Sequence, residues 1–132
     1  DNHPRVKVTS IDVSEYACTK YGHEHRDISQ WTPPRVYDLV VCHGVLQYPD
    51  DQSAGRAIDN IAKACRHVLY LEVPTTADFR TVVDPQATDM DVHHRTGAWY
   101  RDRLERHFIQ AGAGLWVRRG GGVLLYELER SR

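Results

Sequence analysis

The sequence lacks the features that mark several large classes of protein. Its 17 Lys and Arg residues are balanced by 18 Asp and Glu, so the formal net charge is −1 and no basic surface for nucleic acid is predicted. Every apolar run is short and interrupted, which excludes a membrane span and the apolar core of a signal peptide. We therefore expect a cytoplasmic protein with neither a nucleic-acid nor a membrane partner.

Cysteine is also scarce. The three cysteines, Cys18, Cys42 and Cys65, are an odd number in apolar contexts, and none of them forms a C-x-x-C spacing. This pattern argues against a disulfide framework and against a zinc site. We predict that all three are buried thiols.

What the sequence does contain is typical of one globular domain. The 132 residues are 41% hydrophobic and 27% charged, and no linker, repeat or low-complexity segment divides residues 1–132. The chain begins at Asp1 and runs almost at once into a predicted strand, without a preceding helix or loop. We expect the natural protein to have an N-terminal segment that precedes this residue.

Strand and helix patterns alternate along the chain. Strands are predicted over residues 6–13, 25–28, 36–43 and 67–73, helices over residues 14–21, 54–66 and 97–111, and a terminal hairpin over residues 115–127. The apolar run from Leu39 to Cys42 favours a strand at the sheet centre that is covered on both faces. The order predicts an α/β fold with a Rossmann-like doubly wound sheet, mostly parallel and ending in an antiparallel hairpin.

The longest segment without periodicity covers residues 75–96. It contains Asp84, Asp89, Asp91, His93 and His94, which are residues of types that bind metals. No fixed ligand spacing accompanies them, so a solvated loop is the favoured interpretation and we predict no metal. A loop of this length is also a candidate lid.

Ligands of doubly wound sheets bind beyond the carboxyl ends of the strands. Three predicted strand ends carry polar residues: Asp12, residues 27–28 and residues 42–44. A carboxylate at Asp12 can accept both hydrogen bonds of a ribose diol, and Asp27 can accept one from the adenine amine, with Val13 and Ile28 as apolar faces. The alternative is structural: Asp12 caps a helix together with Ser14, and Asp27 lies in a solvated turn.

These segments resemble the class I S-adenosylmethionine-dependent methyltransferases, from their second strand onward. The resemblance rests on residues 8–17, 27–28 and 37–48, and continues through residues 54–66, 68–73, 95–100 and the final hairpin. It implies S-adenosyl-L-methionine as the cofactor and a small molecule as the methyl acceptor. The implied cofactor contacts are Asp12, Val13, Asp27, Ile28, Cys42 and His43.

Residues for the acceptor side follow from position. His43 is the titratable group at the end of the strand predicted over residues 36–43, so it is the candidate catalytic base, although a histidine there can also serve only to orient a turn. The long loop and the start of the last helix should overhang the same edge. They supply the candidate substrate contacts Tyr48, His93, His94 and Trp99, whose ordinary explanation is packing or solvent exposure.

The sequence departs from the family in one large feature. No strand with a Gly-rich loop precedes Asp12, and Gly120 to Gly122 cannot replace it because they lie in the predicted hairpin. In the family this first strand is central, between the strands represented by residues 6–12 and 36–42. Its absence would leave buried backbone groups unpaired, at about 1 to 3 kcal/mol each. We expect an N-terminal segment, or another chain as in a homo-oligomer, to fill the gap.

On this interpretation the chain is the C-terminal majority of a methyltransferase domain. Two other functions fit parts of the pattern. A nicotinamide-dependent oxidoreductase fragment shares the acid at a strand end, although the terminal hairpin fits it poorly. A non-catalytic Rossmann-like interaction module would keep the architecture without the cofactor loop.

Overall fold

The computed structural model describes residues 5–81 and 92–129. Its strands are β1 (Ile11–Asp12), β2 (Glu24–His25), β3 (Tyr37–His43), β4 (Cys65–Glu72), β5 (Phe108–Gly112) and β6 (Leu115–Arg118). Its helices are α1 (Glu15–Tyr21), α2 (Asp51–Ala64), α3 (Thr76–Thr81) and α4 (Gly97–Leu104), and a 3-10 turn covers Glu127–Glu129.

The described strands form two sheets. β1 and β2 pair in parallel, while the second sheet has the order β3-β4-β6-β5. Within it β3 and β4 are parallel, and β6 runs antiparallel to both β4 and β5. The mixed α/β class is confirmed, together with the parallel β3-α2-β4 unit.

The first helix forms as its end signals predict. The Ser14 side chain accepts a hydrogen bond from the Ala17 N–H, and Gly22 ends α1 in the left-handed conformation at φ 76°. Glu15 in the first turn and Lys20 in the last turn have the charges that suit the helix dipole. Local residues alone therefore account for α1.

The core lies between α2 and one face of the larger sheet. Asp50 caps α2 by accepting the Ser53 N–H at 2.8 Å, which lowers the pKa of Asp50. The buried cluster takes Ala57, Ile58 and Ile61 from α2, Cys42, Leu69 and Leu71 from β3 and β4, and Leu104, Phe108 and Trp116 from the C-terminal elements. Side chains such as Ile58 and Leu69 are fully buried, and each contributes about 1.5 to 3 kcal/mol.

The first two strands are shorter than predicted. Residues 6–10 are exposed and unassigned, and only Ile11 and Asp12 pair with β2. β2 in turn ends at His25, because a turn follows in which the Asp27 carbonyl accepts N–H groups from Gln30 and Trp31. A two-residue partner can hold only two residues of β1 in a ladder.

Residues 36–43 do contain a strand, β3, but the prediction that both of its faces are covered is wrong for the part of the chain that is described. There, β3 pairs only with β4, and Leu39 and Val41 on its open face are 56% and 61% exposed. Val40 and Cys42 point to the opposite face and pack in the core. No ladder joins β3 to β1 among these residues, and the Tyr37 hydroxyl reaches Thr9 Oγ1 at 3.4 Å instead.

The C-terminal elements also differ from the prediction. The helix predicted over residues 97–111 ends at Leu104, and Phe108 begins β5. The hairpin therefore joins β5 to β6 rather than turning at Gly120–Gly122. Its turn contains Gly112, Ala113 and Gly114 at φ 99°, 55° and 81°, a run of left-handed residues that reverses the chain tightly.

The segment predicted as a loop contains α3, which begins after Thr75, whose N–H and hydroxyl both donate to Asp78 Oδ2. The candidate lid residues 82–91, with Asp84, Asp89 and Asp91, lie outside the described residues. In residues 5–81 and 92–129, no helix has the length and apolar character needed to cross a membrane.

Candidate functional site at the carboxyl ends of the strands

Asp12 ends β1, and half of its carboxylate already has a structural role. Its Oδ1 accepts the Ser14 N–H at 2.8 Å, as the structural alternative anticipates. Its backbone carbonyl accepts the Arg26 N–H at 3.1 Å, which ties the end of β1 to the chain leaving β2. The second carboxylate oxygen remains available for a ligand hydroxyl.

Asp27 lies beside the end of β2, in a similar local turn. Its Oδ1 accepts both the N–H and the hydroxyl of Ser29, at 2.9 and 2.7 Å. Ile28 is half-buried against the core, whereas Val13 is 63% exposed. Because β1 and β2 are adjacent and parallel, the structure brings Asp12, Val13 and Asp27 to one edge of the small sheet.

Cys42 and His43 end β3 and have opposite environments. Cys42 is 6% exposed, and burial raises the pKa of its thiol to about 12. A ligand at this edge can therefore contact Cys42 only through its backbone. The His43 side chain is on the other face of the strand, with 65% of its surface exposed.

His43 belongs to a cluster of three side chains that we name the His43 cluster: His43, Glu72 and Tyr70. His43 Nε2 lies 3.2 Å from Glu72 Oε2, and the Tyr70 hydroxyl donates to the same oxygen at 3.0 Å. That hydrogen bond and the negative charge of Glu72 raise the pKa of Tyr70. The site residues predicted from the sequence do not include Glu72 or Tyr70. The sequence feature that could have indicated Glu72 is the acid at the end of β4.

The chain turns sharply after His43. Gly44 adopts φ 66° and donates its N–H to the Glu72 carbonyl at 2.9 Å, so the turn is fixed to the end of β4. Gln47 lies against this turn and is 8% exposed. Its Oε1 is buried without a hydrogen-bond partner among the described residues, which makes it an acceptor suited to a ligand N–H. Sequence reasoning does not single out Gln47.

Arg95 holds the loop that follows β3. Its side chain is almost fully buried and donates to the Leu46 carbonyl at 2.8 Å, to the Pro49 carbonyl, and to Asp51 Oδ1 at 2.6 Å. It also donates to the Tyr100 hydroxyl at 3.1 Å. Burial opposes the charge, but the hydrogen bonds to Asp51 and Tyr100 prevail and raise the pKa of Arg95. One guanidinium thus joins this loop to α2 and α4.

Of the four predicted substrate contacts, His93 and Tyr48 lie near each other, whereas His94 packs elsewhere. The His93 N–H donates to the Gln47 carbonyl at 2.8 Å, which places His93 beside the loop that carries the 49% exposed Tyr48. His94 instead stacks on Phe79, with ring centroids 4.1 Å apart.

Trp99 has packing contacts. Its ring is half-buried against the core and lies 3.7 Å from the Arg103 guanidinium. The Arg95 guanidinium lies 4.7 Å from the same ring. These contacts fit the packing alternative for Trp99, while a substrate role for any of the four residues stays a prediction.

Comparison with known proteins bears on the fold. No family model matches the sequence, and no curated protein matches it significantly. Among solved structures, the chain is similar to the N-methyltransferase NodS from Bradyrhizobium japonicum WM9, whose crystal structure is a complex with S-adenosyl-L-homocysteine. The TM-score is 0.56, at 18% sequence identity over 83% of this chain. The chain has a methyltransferase-like fold.

The matched region covers 65% of NodS, so this chain spans less than two thirds of that protein. The similarity confirms the general kind of fold that the sequence predicts. At this identity it does not extend to particular residues.

Proposed function

We propose that this chain belongs to an S-adenosylmethionine-dependent methyltransferase that acts on a small-molecule acceptor. The observation that carries the proposal is the combination of a methyltransferase-like fold with an acid at the end of β1, a second acid just after β2, and His43 at the end of β3. Ligands of such sheets bind at that edge. The complex of NodS with the demethylated cofactor supports the choice of cofactor.

The side chains present suit the chemical groups of S-adenosylmethionine. Asp12 and Asp27 each keep one carboxylate oxygen for a hydroxyl or amine, and exposed Val13 offers an apolar face to an aromatic base. Gln47 Oε1, which has no hydrogen-bond partner within residues 5–81 and 92–129, can accept a hydrogen bond from an ammonium group. We assign the adenosine half to Asp12, Val13, Asp27 and Ile28, and the sulfonium side to His43 and the Cys42 backbone.

When bound, S-adenosylmethionine supplies a methyl carbon that bonds to the acceptor atom as the methyl–sulfur bond breaks, with its electron pair left on sulfur. The protein contributes orientation of the two reactants and, for an acceptor that carries a proton, a base. We assign the base to His43 and the acceptor contacts to Tyr48 and His93, with His94 and Trp99 flanking them. His43 is exposed enough to reach a bound acceptor.

We further propose that an additional parallel strand, supplied by an N-terminal segment, lies between β1 and β3. Support comes from the two separate parallel pairs, the exposed Leu39 and Val41, and the Tyr37–Thr9 hydrogen bond between them. Intact mass and light scattering of the natural protein test this. A monomer heavier than this sequence supports the segment, and a dimer of unextended chains would assign the gap to a second copy.

Calorimetry with S-adenosylhomocysteine tests the cofactor. The natural full-length protein should bind it, and Asp12→Ala should weaken binding about tenfold or more, equivalent to ~1.4 kcal/mol. Asp102→Ala removes an exposed acid of α4 that pairs with Arg106, and should leave binding unchanged. Absence of binding, or an Asp12→Ala protein that binds as well as wild type, would contradict the proposal. Binding of NADH instead would favour the oxidoreductase, and binding of neither would favour the interaction module.

A further inference from the structure

We propose that the His43 cluster is a proton-accepting site in which His43 Nδ1 takes the proton of an amine acceptor, with Glu72 as its positioning residue. This inference rests on the proposed methyltransferase function and names the substrate class for it. It starts from three side chains that meet on one oxygen, Glu72 Oε2. Two of the three lie outside the residues that sequence reasoning selects.

The Glu72 carboxylate favours one of the two nitrogens of His43 as the basic one. Glu72 Oε2 lies 3.2 Å from Nε2 in a close contact without hydrogen-bond alignment, and its negative charge favours a proton on that nitrogen over a lone pair. The neutral ring then has its lone pair on Nδ1. Among the described residues Nδ1 makes no hydrogen bond, and the side chain is 65% exposed. The basic atom therefore belongs to a solvent-exposed ring at the carboxyl end of β3.

Glu72 is itself held in place from two directions. Parallel pairing of β3 and β4 places His43 and Glu72 opposite each other in register, so the backbone sets their separation. The Tyr70 hydroxyl then fixes the carboxylate by donating to it at 3.0 Å. Tyr70 cannot easily move, since its ring packs on Gly114, where an added Cβ would lie 2.8 Å from Cε1. The arrangement matches that of a histidine base oriented by a carboxylate.

The charges at this edge favour a cationic acceptor. Asp12, Asp27 and Glu72 stand at or near three strand ends, while the Arg95 guanidinium is buried among its partners. The Arg26 guanidinium is stacked over Trp31, 5.3 Å from its ring centroid. An amine arrives as an ammonium ion and must lose one proton to become a nucleophile. That proton goes to His43 Nδ1, the freed electron pair stays on nitrogen for bond formation, and solvent later takes the proton.

The tautomer of His43 can be read without any cofactor. Two-bond ¹H–¹⁵N correlation spectra at pH 8 should show His43 protonated at Nε2, with its signals assigned by their loss in His43→Gln. Glu72→Gln should populate the other tautomer, because the Gln amide can donate to Nε2. Glu105→Gln, a glutamate outside the cluster, is the matched control and should leave the spectrum unchanged. A wild-type ring protonated at Nδ1, or a Glu72→Gln spectrum identical to wild type, would overturn the inference.

Activity supplies the second readout. With S-adenosylmethionine and butylamine, the natural protein should form methylated amine, and His43→Gln should lower kcat about 100-fold. Glu72→Gln should lower kcat about tenfold and leave the Kd for S-adenosylhomocysteine unchanged. Methylation of butanethiol but not butylamine, or a His43→Gln enzyme with full kcat, would refute the amine assignment. If wild-type protein fails to bind S-adenosylhomocysteine, both the proposed function and this inference are contradicted. If it binds normally but His43 is protonated at Nδ1, this inference alone is contradicted.

Discussion

Arg95→Met should destabilise the protein strongly, because the carbonyl groups that accept hydrogen bonds from Arg95 lose their donor. Loss of the ion pair between Arg95 and Asp51 should contribute less. Methionine keeps the aliphatic length of the side chain and removes every donor. The Leu46 and Pro49 carbonyls and the Tyr100 hydroxyl then lose a charged donor in a site where the arginine was 5% exposed. Hydrogen bonds to charged groups contribute about 1.5 to 3 kcal/mol each, and incomplete burial of the acceptors lowers the sum. We expect a loss of about 4 kcal/mol, within the range for breaking a buried charged network.

Asp51→Asn separates the two explanations. The Asp51 side chain is 68% exposed, so water can hydrate it when the pair with Arg95 is broken. An ion pair with one exposed partner contributes about 1 kcal/mol or less, and Asp51 adds a few tenths at the start of α2. The asparagine keeps the size of the side chain. We therefore expect Asp51→Asn to cost about 1 kcal/mol, a quarter of the Arg95→Met effect.

Urea unfolding followed by circular dichroism measures both values. With a urea m-value of about 1.5 to 2 kcal/mol/M, Arg95→Met should lower the midpoint by roughly 2 to 3 M and Asp51→Asn by about 0.5 M. Equal losses in the two variants would refute the reasoning, because the ion pair would then account for the whole effect. A loss below 1 kcal/mol for Arg95→Met would show that the loop after β3 is held by other contacts.

Three further predictions concern single groups. Gly114→Ala should lower the free energy of unfolding by about 1 to 3 kcal/mol, because alanine would have to adopt φ 81° and its Cβ would meet the Tyr70 ring. Urea unfolding measures this loss, and an unchanged midpoint would contradict the packing of Tyr70 on Gly114. Glu72→Gln should shift the titration of Tyr70 to lower pH, because Glu72 raises the pKa of Tyr70. Absorbance at 295 nm follows this titration, and the Tyr70 component is identified by its loss in Tyr70→Phe. An unshifted titration would show that the two side chains are not in contact. Iodoacetamide at pH 8 should modify the half-buried Cys18 before the buried Cys42, whose pKa of about 12 leaves a thiolate fraction of only ~10⁻⁴. Peptide mass spectrometry measures the two rates, and equal rates would mean that Cys42 is accessible.

The elements that the sequence predicts well are those specified by neighbouring residues. α1 has its Ser14 cap and its Gly22 end within one short segment, and α2 has an apolar stripe that recurs every three or four residues. The C-terminal elements lack such a local signal. Leu104 and Phe108 are spaced as on one helix face, yet Phe108 belongs to β5 because β6 pairs with it and with β4. Pairing between distant segments decides that choice, and periodicity does not report it.

The candidate site shows the same division. The positions of His43 and Asp12 at strand ends can be predicted, because each residue closes an apolar strand pattern. Glu72 cannot be assigned to His43 from the sequence, because their contact depends on the register between β3 and β4. The predicted cofactor contact at Cys42 depends on which face of β3 is covered, and the structure turns that side chain into the core.

The apolar run in β3 is where sequence and structure differ most informatively. A strand covered on one face needs apolar residues only at alternate positions, and Val40 with Cys42 already supplies them here. Leu39 and Val41 add apolar side chains on the second face, where more than half of each is exposed, so most of the roughly 1.5 to 3 kcal/mol available from burying each is not gained. That composition is typical of a strand inside a sheet covered on both faces. The open edge and exposed face of β3 thus have the residue pattern that a neighbouring strand and a covering helix would use.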